Sequence, residues 1–145
     1  MKQVLIINGP NLNWLGRRDH KQYGQETWQE IFQVLANYAD TNHTALADFQ
    51  SNHEGDIIDK LQETDCDCVI INAGAYTHYS YAIRDAIAML TIPVIEVHMS
   101  NIYQREEFRK KSVLAPVCVG QITGFKSTSY LLALQAGIEL LKSNK

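Results

Sequence analysis

Nowhere in the 145-residue chain do eighteen apolar residues follow one another, which excludes an ordinary membrane-spanning helix. Met1-Lys2-Gln3 leads straight into the apolar run Val4-Leu5-Ile6-Ile7, without the basic region and apolar core of a signal segment. The expectation is a cytoplasmic protein with no membrane partner. Excess charge of one sign is missing too: thirteen Lys and Arg against sixteen Asp and Glu leave a formal net charge of −3, which gives no electrostatic reason to expect a nucleic-acid partner. Cysteine is limited to Cys66, Cys68 and Cys118. The number is odd, and the first two are expected to face opposite sides of the sheet, which argues against a shared metal or a local disulfide. They read as buried thiols in a reducing compartment. Glycine-rich phosphate motifs are absent as well, both the type ending in lysine and the Gly-x-Gly-x-x-Gly pattern of dinucleotide sites. No cofactor is expected.

What remains is an ordinary globular composition, 46% apolar and 20% charged, on a length that fits one domain spanning residues 1–145. Val4 to Ile7, Thr44 to Phe49, Cys68 to Ile71, Pro93 to Val97 and Pro116 to Ile122 read as five strands. Helical spacing separates them. Thr27-Trp28-Gln29-Glu30 has the form of a capping box, followed by Ile31, Leu35 and Tyr38 or Ala39. Ile57, Ile58 and Leu61 give the next stripe, then Ala82-Ile83, Ala86-Ile87 and Leu90. Ser127 is placed to cap a last helix with Leu131, Leu134, Ile138 and Leu141 on its inner face, and Gly137 there suits close packing. Alternating strands and helices predict an α/β fold of flavodoxin-like, three-layer type. Its five-stranded parallel sheet has the order 2-1-3-4-5.

Three of the apolar runs stop abruptly in polar residues. Val4–Ile7 runs into Asn8-Gly9-Pro10-Asn11, Val69–Ile71 into Asn72 with Thr77-His78 behind it, and Val94–Val97 into His98-Met99-Ser100-Asn101. In a parallel sheet these clusters share the carboxyl edge, where open α/β folds bind ligands. His98 at such an edge has the chemistry of a general acid near neutral pH. The same ring could instead satisfy backbone groups, or ligate a metal. No metal site is expected, because His78 and His98 have no third ligand at metal-like spacing. Asn8 and Asn72 are either turn-forming amides or ligand-binding ones.

The stretch from Asn13 to Gln25 has little core-forming periodicity and follows the first strand, so it reads as a loop or lid over the site. It carries Arg17, Arg18 and Tyr23. An unpaired phenol, with a pKa of about 10, is a poor base near neutrality, but guanidinium groups favour a phenolate and also bind carboxylates. Tyr23 could equally be a packing anchor beside solvated arginines. Arg109 lies in the densest cationic run, Arg105 to Lys111, and reads as a ligand contact or a surface charge.

The wording of the chain resembles the type II 3-dehydroquinate dehydratases over essentially its whole length. The blocks that carry the likeness are Asn8-Gly9-Pro10-Asn11-Leu12-Asn13, Leu15-Gly16-Arg17-Arg18, Tyr23-Gly24, Gln50-Ser51-Asn52-His53-Glu54-Gly55, Asn72-Ala73-Gly74-Ala75-Tyr76-Thr77-His78, Arg84-Asp85-Ala86, Glu96-Val97-His98-Met99-Ser100-Asn101 and Arg105-Glu106-Glu107-Phe108-Arg109. The resemblance implies a cofactor-independent lyase that converts 3-dehydroquinate to 3-dehydroshikimate and water by anti elimination through an enolate. It also implies a homo-oligomer, a dodecamer built from trimers, serving aromatic-compound biosynthesis through the shikimate pathway or, by the same reaction, quinate breakdown.

Residue by residue, the likeness makes Tyr23 the base and Arg18 the group stabilising its phenolate. His98 becomes the acid that protonates the departing hydroxyl. Asn72, His78, Met99, Ser100 and Arg109 become substrate-positioning groups, Met99 through its backbone N–H. Asp85 would reach the site of a neighbouring subunit. Asn11 would help hold a water against the enolate, and Glu96 would orient His98. The chain departs from the family wording at Asp19-His20, where Glu-Pro is usual, which suggests a more mobile lid. Tyr103 and Lys111 stand where histidines are common, and Lys126 where glycine often is. Two other accounts of the same rim are a noncatalytic sensor of a small carboxylate and a nucleotide-binding module. Dehydroquinate binding without product would favour the sensor, and a bound flavin spectrum would favour the nucleotide module.

Overall fold

The five apolar runs lie side by side in one sheet covered on both faces. The computed structural model describes residues 1–143. Its elements are β1 (Lys2–Asn8), α1 (His20–Tyr23), α2 (Trp28–Thr41), β2 (Thr44–Gln50), α3 (Glu54–Glu63), β3 (Cys68–Asn72), α4 (Tyr81–Ala88), β4 (Val94–His98), β5 (Gly120–Thr123) and α5 (Thr128–Ser143). The strands form one five-stranded sheet in the order β2-β1-β3-β4-β5, and every pairing is parallel. The expected topology is the observed one.

Period-two alternation sorts the strand residues into two cores. Val4, Ile6, Cys68, Ile70, Ile95 and Val97 pack with α2 and α5. Leu5, Ile7, Val69, Ile71 and Val94 pack with α3 and α4. Burying such aliphatic side chains contributes roughly 1.5–3 kcal/mol each. The capping box that opens α2 is formed: Thr27 accepts from the Glu30 N–H, and the Glu30 carboxylate reaches back to the Thr27 N–H. Ala39, rather than Tyr38, completes the buried stripe of α2.

Four expectations are corrected. The fifth strand is only Gly120–Thr123, because Ala115–Val117 winds into a 3-10 turn with proline in its first turn. Cys66 precedes β3 instead of lying in it, and that is why it packs into the opposite core from Cys68, since two strand residues two apart would share a face. Ser127 does not use its hydroxyl as a helix cap; that hydroxyl donates to the Glu26 carboxylate at 3.0 Å. Finally, the inner face of α5 is Tyr130, Ala133, Leu134, Gly137, Ile138 and Leu141, with Leu131 only half-buried. Gly137 earns its place there, since a Cβ would stand 3.2 Å from the Cys68 sulfur.

Candidate active site

The polar strand ends do meet at one rim, but they arrive from opposite faces. Asn8 and Asn72 are register partners across β1 and β3 and share the face of Ile6 and Ile70. Glu96 and His98 share the face of Val94, on the α3/α4 side. The loops beyond β1 and β3 interlock: the Gly9 N–H donates to the Asn72 carbonyl at 2.7 Å. A Cβ on Gly9 would lie 2.5 Å from the Ala73 carbonyl oxygen, so this glycine answers a close backbone approach rather than an awkward turn. The left-handed residue is Asn11 (φ 71°), whose N–H is held by the Asn52 side chain at 3.0 Å.

These loops enclose a cleft of about 100 Å³, lined by Asn11, Arg18, Tyr23, Asn72, His78, His98, Met99, Ser100, Arg105 and Arg109, with Pro10, Leu12, Gly74, Ala75 and Ile102. A wider cleft of about 380 Å³ between β5 and α5 is mostly apolar, with Glu139 its one charged lining residue among the described residues, so it offers little chemistry. Ten of the eleven site residues expected from sequence are therefore placed. Nine line the cleft, and Glu96 lies directly behind it against His98. Asp85 is the exception: it projects from α4, 75% exposed, beside Arg84.

One side of the cleft is built on His98. Its Nε2 meets Glu96 Oε2 at 2.5 Å, a contact that the strand geometry makes natural, since residues two apart project together. Glu96 is fully buried. It also accepts from Ser112 Oγ at 2.7 Å, Gln121 Nε2 at 3.0 Å and Thr77 Oγ1 at 3.3 Å. Burial pushes its carboxyl up, but the bond and charge of His98, with the Ser112 and Gln121 donors, outweigh it and hold the group below its ordinary range. Stacked on His98, at 6.4 Å between ring centres, is His78. His78 Nδ1 donates to the Lys111 carbonyl at 2.7 Å, which leaves Nε2 for another partner. Burial drives the His78 imidazole below its ordinary value, with the Lys111 carbonyl opposing and nearby His98 and Arg109 adding to the fall.

Tyr23 forms the other side. The lid that carries it is folded: Asp19 caps α1 by accepting from the Lys21 N–H at 3.0 Å, and the His20 ring meets the Gly16 carbonyl at 3.2 Å. Thus the two lid residues that depart from the family wording, Asp19 and His20, hold the lid's own turn. Tyr23 is buried at 9% exposure. The Arg18 guanidinium carbon lies 3.7 Å from its ring centre, and Arg105 Nη1 donates to its hydroxyl at 2.9 Å. Two cations thus bear on one phenol, Arg105 on its oxygen and Arg18 on its ring. Burial lowers the Arg18 guanidinium from its ordinary value; Tyr23 opposes this, and Arg105 and Arg109 add to it. Arg105 also donates to Ser100 Oγ at 3.2 Å. Arg109 is held by Glu106 at 3.1 Å. Arg17, by contrast, lies exposed over Trp14.

Sequence reasoning missed Arg105 because it sits in a mixed-charge run that reads as a solvated amphipathic turn or helix. The run actually folds as two 3-10 turns, Ile102–Gln104 and Glu107–Arg109, which turn Arg105 inward. The spacing of Arg105 and Arg109 behind the His-Met-Ser-Asn cluster was the available signal. Among the described residues, no group of three or more His, Cys, Asp or Glu converges as a metal site requires. No helix among them is long and apolar enough to cross a membrane.

A rim of this kind, on a sheet of order 2-1-3-4-5, has clear counterparts. The family described as dehydroquinase class II matches residues 2–138. A protein of Caldicellulosiruptor saccharolyticus named 3-dehydroquinate dehydratase is 54% identical over 97% of this chain and 99% of its own length. Another so named, from Nitratiruptor sp., is 56% identical over 92% of this chain and 87% of its own. The crystal structure of a type II dehydroquinase from Butyrivibrio crossotus superposes with a TM-score of 0.91 at 48% identity, covering 93% of this chain and 96% of that one. The chain belongs to the class II dehydroquinase family.

Proposed function

We propose that this chain removes water from 3-dehydroquinate by an enolate-mediated anti elimination, with Tyr23 as base and His98 as acid. The coarser statement, that it is a 3-dehydroquinate dehydratase and hence a carbon–oxygen lyase, follows from family membership at more than half identity over nearly the full chain. The observation that carries the finer reading is a single cleft with a twice-cation-contacted phenol on one side and a carboxylate-held imidazole on the other.

In this reading the Tyr23 phenolate, supported by Arg18 and Arg105, takes the proton from the carbon beside the ketone. The electron pair left behind becomes an enolate, which a water held near Asn11 stabilises. Because His98 gives Nε2 to Glu96, Nδ1 is the nitrogen that protonates the leaving hydroxyl. The carbon–oxygen bond breaks as the enolate collapses to a conjugated enone, and water departs. Glu96 fixes the orientation of the imidazole ring through its bond to Nε2. Asn72, His78 and Arg109 address hydroxyl groups, while the Met99 N–H and Ser100 receive the carboxylate.

The working enzyme in this proposal is one domain spanning residues 1–145, cytoplasmic, and assembled as a dodecamer of trimers in which Asp85 enters a neighbour's cleft. The exposure of Tyr79, Tyr81 and Met89 near Asp85, at 58%, 66% and 67%, supports a contact face there. Ultraviolet measurement of enone formation from 3-dehydroquinate tests the reaction. Tyr23→Phe and His98→Asn should each fold and lose about a hundredfold or more in kcat. Normal turnover by Tyr23→Phe defeats the base assignment, and by His98→Asn the acid assignment.

A further inference from the structure

Tyr130 is fully buried on α5, its ring edge-on to Trp28 at 5.1 Å between centres. It lines none of the cleft, yet its hydroxyl lies between the last residues of two neighbouring strands. It donates to Asn8 Oδ1 at 2.7 Å and accepts from Asn72 Nδ2 at 2.8 Å. The direction of this chain of bonds is not arbitrary. The Gly74 backbone N–H, which can only donate, points at Asn72 Oδ1 at 3.2 Å. Asn72 must therefore turn Nδ2 toward Tyr130, the phenol oxygen must accept, and its single proton must go to Asn8.

We propose that Tyr130 is a positioning residue for substrate: acting with Asn8, it locks the Asn72 amide in the one orientation that leaves its second N–H for a substrate oxygen in the cleft. This rests on the dehydratase reading above and assigns a purpose to a hydroxyl that reading does not use. A flipped amide would set its NH2 against the Gly74 N–H and would take the phenol proton away from Asn8. Burial pushes the Tyr130 phenol well above its ordinary value, so it keeps its proton throughout the working range and serves as a fixed relay rather than a second base. A phenylalanine would fill the same volume, so the hydroxyl answers the two amides rather than the packing.

Steady-state kinetics with 3-dehydroquinate on Tyr130→Phe, Asn72→Ala and the double variant provide the test. Loss of orientation without loss of the amide should raise KM about tenfold, with kcat within about threefold of wild type and the pH profile unmoved. In the Asn72→Ala background, Tyr130→Phe should add nothing to KM. A wild-type KM in folded Tyr130→Phe, a loss confined to kcat, or an effect that adds to Asn72→Ala overturns the proposal. Should Tyr130→Phe not fold, Asn8→Ala removes the acceptor of the phenol proton and must raise KM instead; an unchanged KM there overturns it equally. Side-chain NMR separates this from the catalytic reading. The Asn72 amide protons should exchange slowly in wild type and lose protection in Tyr130→Phe, whether or not dehydroquinate turns over. Unchanged protection overturns the positioning role, whereas absent turnover by wild type overturns the dehydratase reading alone.

Discussion

Arg18 and Arg105 meet the same phenol in different ways, and the difference predicts different phenotypes. Arg18 lies over the ring face, while Arg105 bonds the hydroxyl oxygen and ties it to Ser100. A charge-assisted hydrogen bond is the stronger and more directional contact. Arg105→Met should therefore cost about ten- to a hundredfold in kcat/KM. A wild-type kcat/KM in the folded variant would remove Arg105 from this role. Glu96 illustrates how little a single side chain reveals by type alone. A fully buried glutamate is costly unless paired, and here four donors converge on it. Only its spacing of two from His98 was visible in the chain; Thr77, Ser112 and Gln121 come from distant segments.

At the scale of elements, Lys126 marks the passage from β5 to α5. The family often has glycine there, and the backbone shows why: Lys126 holds φ at 52°, a left-handed conformation that costs a residue with a Cβ roughly 1–2 kcal/mol. Its N–H donates to the Met99 carbonyl at 2.8 Å, so the turn cannot relax without disturbing the cleft floor. Lys126→Gly should gain about 0.5–1 kcal/mol after the entropy of glycine is set against it. By calorimetry this would raise Tm by about 2–4 °C; a lower Tm would mean that the lysine side chain stabilises the turn. The lid gives a matching lesson. Losing the usual proline suggested greater mobility, but Asp19 is a strong N-cap and closes the helical turn that presents Tyr23.

For the whole molecule, two consequences are measurable. The first is acid sensitivity. His78 has its pKa lowered in the fold, so the unfolded chain binds its proton more readily. The stability His78 confers is present above the ordinary value near 6.5 and is lost as pH falls through that value toward the folded one. Glu96 is also lowered from about 4.5, so its contribution is complete above that pH and disappears as pH falls through its folded value. Tm should thus begin to fall below about pH 6.5, with a further decline in strong acid that Glu96→Gln diminishes. A Tm that rises between pH 7 and 5 would contradict this. The second consequence concerns assembly. If the face around Asp85 joins copies of the chain, Tyr81→Glu buries a charge there and should give a smaller particle in sedimentation, with activity lost although no cleft residue is changed. A variant of wild-type size and turnover would refute that face.

The sequence by itself determined the βα rhythm, the sheet order and the identity of most cleft residues. Those follow from local periodicity, strand-end chemistry and ordered family blocks, all of which are written along the chain. Even the capping box of α2 and the close packing at Gly137 were legible, because each depends on near neighbours or on one missing Cβ. Only the tertiary structure decided that Asn72 and His98 approach the rim from opposite faces, that the 105–109 run turns inward, and that β5 is so short. It alone revealed Tyr130 behind Asn72, a phenol on the inner face of α5 that the stripe drawn through Leu131, Leu134, Ile138 and Leu141 leaves out. The physical reason is separation: Asn8 and Tyr130 lie 122 residues apart, Arg105 and Tyr23 82 apart. A hydrogen bond between such residues is fixed by how helices and loops pack on the sheet, which no local pattern encodes.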